Sequence, residues 1–262
     1  MNKVIIETLI GAIEPGQAAI DSPNARIATV HDGRQFYVKS PQWHGMGMPI
    51  RLANELFYYV LAGEHGLPMP NSAIVLIDGV GFWGSQRILN RQSLTIRDVP
   101  LAPEMRSRLK RTLRLSAQQR KVILRCMFLD LLLLNTDRTL WNLLGTTNGD
   151  FVSLDCFDHD RTFGWHGDPN HVIRTVEEIP FQAFLKLDPL VQMAVGHSSR
   201  RECNDLFAGL SFNMRDLDRA RSYLPEGWIS NAEYDLLANF MEHWWTLSGA
   251  LFRSKLVYTM FT

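Results

Sequence analysis

Hydrophobic period changes along this chain, and that change limits the folds open to it. Arg26-Ile27-Ala28-Thr29-Val30 alternates, Gln35-Phe36-Tyr37-Val38-Lys39 resumes the same period of two, and His31-Asp32-Gly33-Arg34 lies between. An Asp-Gly pair between two alternating runs is a strong local hairpin signal. Over residues 50–65 the period lengthens. Leu52, Leu56, Tyr59 and Val60 recur at three and four, which predicts an amphipathic helix. Gly66-Leu67-Pro68-Met69-Pro70 then ends it, because glycine favours the C-terminal cap and proline cannot continue the helix.

Further strands are expected at Ala73–Ile77 and Phe82–Leu89, and turns at Pro15-Gly16 and Ser22-Pro23-Asn24. The polar, proline-containing stretch Asn90–Pro103 reads as a boundary between two lobes. Beyond it, Ala117–Leu134 is apolar on most of its surface and predicts a buried helix. Phe151–Leu154 is extended after the Asn148-Gly149 turn, and the spacing from Val176 onward is mostly helical. Strands and one helix followed by a larger helical part make an α+β chain. The expected units are residues 1–90 and residues 91–262.

The bulk composition excludes several classes. Apolar residues make up 46% and charged residues 21%, with 27 basic against 27 acidic side chains, so no net field advertises a nucleic-acid or membrane partner. The longest apolar stretch, Cys126–Leu134, is interrupted by Asp130 and falls short of the roughly 20 residues that span a bilayer. Three scattered cysteines, Cys126, Cys156 and Cys203, form no metal-ligand pair and suit a reducing compartment. A cytoplasmic location is the expectation.

One stretch carries chemistry. In Asn135-Thr136-Asp137-Arg138-Thr139-Leu140-Trp141-Asn142 an aspartate and an asparagine stand five positions apart, and Asp158 follows sixteen positions later. Phosphoryl transfer uses such a set: one aspartate orients the attacking hydroxyl, while an asparagine and a second aspartate hold magnesium. Asp155 and Asp160 compete with Asp158, and the flanking Phe157 and Phe163 favour Asp158. Upstream, Lys39 at the end of the hairpin would reach the phosphates, held by Glu55 on the following helix. Taken singly, each residue has a blander account: a capped turn for Asn135 and Asp137, an acidic loop for Asp158, a solvated strand end for Lys39.

Tyr37-Val38-Lys39, Asn54-Glu55-Leu56, Gly66-Leu67-Pro68-Met69-Pro70, Asn135-Thr136-Asp137-Arg138 with Asn142, and Phe157-Asp158-His159 together resemble HipA-like kinases. The resemblance covers about residues 15–165. It implies a bilobal protein-kinase-like fold related to phosphatidylinositol kinases at the catalytic loop. It also implies ATP and Mg2+ as cofactors and transfer to a protein Ser/Thr hydroxyl. Lys39 and Glu55 become the ATP-positioning pair, Asp137 the catalytic aspartate, and Asn142 with Asp158 the metal ligands. Toxin kinases of toxin–antitoxin modules belong to this group, which makes an antitoxin or other regulatory partner an expectation by analogy.

The chain departs from the pattern in places. No G-x-G-x-x-G loop precedes Lys39, and only Ser22 and Asn24 stand where backbone amides would cover the phosphates. Thr139 follows the Asp-Arg pair where His or Gly is common, and His159-Asp160 follows the metal aspartate where a glycine is frequent. A pseudokinase that binds nucleotide without transfer is therefore the alternative. A metal-dependent phosphohydrolase built on His159, His166 and His171 beside the aspartates is a more distant one. The basic run from Arg106 to Arg125 reads as a solvated helix face, or else as a surface for an acidic partner or RNA.

Overall fold

Hairpin chemistry sets the N-terminal architecture. In this computed structural model, which describes residues 4–18, 25–41, 48–88, 92–93, 116–135, 143–145, 154–156, 162–164, 194 and 196–247, β2 (Arg26–Val30) and β3 (Gln35–Lys39) pair antiparallel. Gly33 sits at φ 82° in the turn between them, a conformation open to glycine at little cost. With β1 (Glu7–Ala18), β4 (Ser72–Ile77) and β5 (Val80–Gln86) these strands close a barrel in the order β1-β2-β3-β5-β4. Ala28, Val30, Phe36, Val38, Ala73, Val75, Ile77 and Phe82 fill its interior.

Pro15-Gly16 is not a chain reversal. It falls inside β1, where the register jumps from Ile13 opposite Ala28 to Ala18 opposite Arg26. The missing N–H of proline is tolerated where a bulge has already interrupted the ladder.

Helix α1 (Met48–Glu64) departs from the amphipathic expectation. Leu52 through Tyr58 are all buried, polar Asn54 and Glu55 included. The helix is covered on one side by the outer face of the barrel and on the other by helices from the second half of the chain. Ile74 and Trp83 from the barrel and Leu56, Phe57 and Leu61 from α1 share one apolar cluster with Phe128, Phe207, Leu217 and Trp244. A helix covered on both sides has little use for a polar stripe.

Helix α2 (Ala117–Leu132) begins with a capping box: the Ser116 hydroxyl accepts from the Gln119 N–H, and the Gln119 side chain accepts from the Ser116 N–H. It ends in a Schellman motif, with Leu134 N–H donating to Leu131 O at 3.2 Å and Asn135 N–H to Asp130 O at 2.7 Å. Glycine usually takes the left-handed position of this motif. Here Leu134 does, at φ 53°, with its side chain fully buried.

Among the described residues, helices α3 (Arg200–Ala208), α4 (Met214–Arg221) and α5 (Asn231–Leu247) follow. Three short strands, β6 (Gln92–Ser93), β7 (Leu143–Gly145) and β8 (Leu154–Cys156), form a second, antiparallel sheet. The extended segment expected at Phe151–Leu154 thus appears as β8 from Leu154 onward, residues 151–153 lying outside the described ones. The architecture is α+β. No described helix is long and apolar enough to cross a membrane.

At the end of α1, the half-buried His65 donates from Nε2 to Ser211 O at 3.2 Å and stands edge-on to Phe212, ring centroids 4.8 Å apart. Burial lowers its pKa by more than the Ser211 carbonyl and Asp216 raise it, and Arg125 adds to the lowering. The unfolded chain binds this proton near pH 6.5, the folded chain only at lower pH. This contribution is therefore complete above about pH 6.5 and lost as the pH falls toward the lower folded value. Melting temperature should decline between pH 7.5 and pH 5.5, and His65→Gln, which keeps a donor for Ser211, should flatten that decline in thermal scans.

Candidate active site

Alternation in β3 sends Phe36 and Val38 into the barrel and leaves Lys39 on the outer face. Lys39 stands opposite Trp83 of β5, so both side chains share that face, and Trp83 packs edge-on against Tyr59 of α1 at 5.7 Å. Lys39 therefore meets α1, where its Nζ donates to Glu55 Oε1. The side chains are 16% and 5% exposed, which removes the solvated alternative for Lys39.

Neighbouring positions of α1 reach the rest of the candidate site. Asn54 Nδ2 donates to Thr162 O at 3.1 Å. Phe57 meets Phe163 edge-on, with centroids 6.0 Å apart and planes at 84°. Phe163 lies in the 3-10 turn Thr162–Gly164 at φ 62°, and its N–H donates to Leu133 O at 2.8 Å. A bulky residue held at positive φ stores strain that the surrounding contacts must offset. Tyr58 Oη donates to Asp130 Oδ1 at 2.8 Å, and Asn135 Nδ2 donates to the same oxygen at 2.9 Å. Little more than one turn of α1 thus touches the barrel, the end of α2 and the segment after β8.

Asp137, Asn142 and Asp158 lie outside the described residues, as do Ser22, Asn24, Asp160, His159, His166, His171 and Arg106–Arg114. The described chain approaches them closely. Asn135 is the last described residue before Asp137, β7 starts at Leu143, and β8 ends at Cys156. Leu143 pairs with Cys156 and Leu144 with Asp155, so the chain ends leading to Asn142 and Asp158 emerge at one end of the β7–β8 pair. Asp155, one of the competing carboxylates, has its backbone within β8.

Sequence reasoning passed over Asn54, Tyr58, Asp130 and Thr162 as parts of this arrangement. Asp130 did carry a signal: a carboxylate inside an apolar helical run is tolerated only with partners, because an isolated buried charge is too costly.

A barrel whose lysine is held by a glutamate on a crossing helix, joined to a helical half, defines a kinase-like fold. No family model matches this chain, and no curated protein matches it. Among solved structures it is similar to the crystal structure of a Helicobacter pylori proinflammatory kinase, CtkA, at 12% identity and a TM-score of 0.61. The match covers 90% of this chain and 96% of that one. At this identity the likeness shows the kinase-like fold.

Proposed function

We propose that this chain is an ATP- and magnesium-dependent phosphotransferase of the HipA-like type, bilobal like other kinases, which passes the γ-phosphoryl group to a protein Ser/Thr hydroxyl. The buried Lys39–Glu55 pair carries the reading. Such a pair is a poor stabiliser, because desolvating both charges offsets most of their attraction, so its presence calls for a use beyond stability. Lys39 would hold the phosphates and Glu55 would hold Lys39. Asp137 would orient the acceptor hydroxyl and take its proton. One amide oxygen from Asn142 and one carboxylate from Asp158 suit magnesium, which takes few protein oxygens. Held by Asn142 and Asp158, magnesium would supply positive charge to offset that of the phosphates. The pairing of Leu143 with Cys156 supports these ligand roles, since it brings together the chain ends that lead to both residues. Ser22 and Asn24, in the β1–β2 connection, would cover the phosphates. The cytoplasm is the location that goes with this reading, since three scattered cysteines suit a reducing compartment.

The absence of a G-x-G-x-x-G loop ahead of Lys39 favours a second reading, a pseudokinase that binds nucleotide or a partner without transfer. Incubation with γ-labelled ATP separates the two. The phosphotransferase labels itself or a lysate protein with magnesium present and loses that labelling in chelator. Unlabelled material in both conditions, with ATP still bound, would establish the pseudokinase. Phosphoproteomics after induced expression would identify the acceptor and any antitoxin or regulatory partner.

A further inference from the structure

We propose that Asp130 is a positioning residue for the loop that carries Asp137, and that Tyr58 couples this anchor to α1. The kinetic part rests on the phosphotransferase reading; the structural part stands without it. Asp130 lies on the last turn of α2 and is 4% exposed. Its carboxylate accepts from Tyr58 Oη at 2.8 Å, Asn135 Nδ2 at 2.9 Å and Cys126 Sγ at 3.5 Å. Its carbonyl accepts from Asn135 N–H at 2.7 Å.

Asn135 is therefore held twice by one residue, through its backbone and through its side chain. The turn leading into it is constrained as well, since Leu134 adopts φ 53° with its side chain fully buried. Asp137 follows two residues later, at most about 7.6 Å away along the Cα trace. Whatever tilts Asn135 displaces the start of the Asp137 loop, and an error of about 1 Å in a reacting group can cost about 100-fold in rate.

Tyr58 adds a second constraint. It lies three residues beyond Glu55, about 4.5 Å along the same helix. The turn of α1 that holds Lys39 through Glu55 thus holds the loop anchor through Tyr58. An apolar residue at position 130 would fill the same space without the cost of a buried carboxylate. A network with its donors and acceptors paired adds rigidity and a single arrangement that apolar packing does not supply.

The test uses the full chain carrying Asp130→Asn, Asn135→Ala or Tyr58→Phe, measured well below each melting temperature. Hydrogen exchange over residues 133–142 should accelerate about 10-fold or more, while β2 and β3 keep wild-type rates. For transfer, kcat should fall about 100-fold in Asp130→Asn, with KM for ATP within about twofold of wild type. Tyr58→Phe, which removes one hydroxyl and keeps the ring, should give a smaller loss of the same kind and covers the case in which Asp130→Asn does not fold. Unchanged exchange over 133–142 in the folded variants overturns the proposal, as does an unchanged kcat. If the wild-type chain transfers no phosphate, the phosphotransferase reading fails, and the exchange data still decide the role of Asp130.

Discussion

Replacing Asp137 by alanine should lower phosphoryl-transfer turnover by about 1,000-fold while leaving the stabilisation by Mg-ATP intact. The asymmetry follows from the role assigned to each group. Asp137 would act on the acceptor hydroxyl and would not touch the nucleotide, and positioned acid–base groups contribute about 100- to 10,000-fold. Lys39→Ala should do the reverse and weaken ATP binding first. It also leaves Glu55, 5% exposed, without its lysine, so some stability is lost with the affinity. Turnover and Mg-ATP melting shifts measured on the same preparations separate the two. Equal loss of both properties in Asp137→Ala would remove it from the chemical step.

The largest effect on stability is expected at Trp244. It is fully buried, the largest enclosed side chain among the described residues, and its indole Nε1 donates to Leu132 O at 3.1 Å. Trp245 donates to the same carbonyl at 3.0 Å. Leu132 is the final residue of α2, where backbone carbonyls lack helical partners, so α5 supplies donors just before the chain turns toward Asp137. Trp244→Ala removes the ring and one of these donors, at a cost of about 3–5 kcal/mol. For a chain of this size that lowers the melting temperature by about 10 °C. Trp245→Phe retains apolar packing and should cost no more than about 1.5 kcal/mol. Thermal unfolding of both variants checks the order; equal effects would assign the stability to the shared hydrogen bond.

Local chemistry was legible in the sequence where it decides the outcome. Asp32-Gly33 reads as a hairpin turn because few residue pairs accept its backbone angles, and β2–β3 follows. Lys39 is located at a strand end by the same hairpin. Pro15-Gly16 carries equally strong turn chemistry, yet β1 continues through it, because pairing with β2 at Ile13 and again at Ala18 holds it extended. The spacing of Leu52, Leu56, Tyr59 and Val60 marks α1 as a helix and gives no warning that Asn54, Glu55 and Tyr58 are also buried. Their partners lie elsewhere in the chain: Thr162 for Asn54, Asp130 for Tyr58. Asp130 shows the same limit. Its isolation among apolar residues signals a hidden partner, while the identity of that partner depends on how α1 crosses α2.

The Mg-ATP site itself is tested most directly by thermal unfolding of the wild-type chain with and without Mg-ATP. At a hundred times the dissociation constant, bound nucleotide adds about 2.7 kcal/mol, which raises the melting temperature by about 5–10 °C. The shift should vanish in chelator and in Lys39→Ala. An unchanged melting temperature at millimolar Mg-ATP would contradict the phosphotransferase and the nucleotide-binding pseudokinase together.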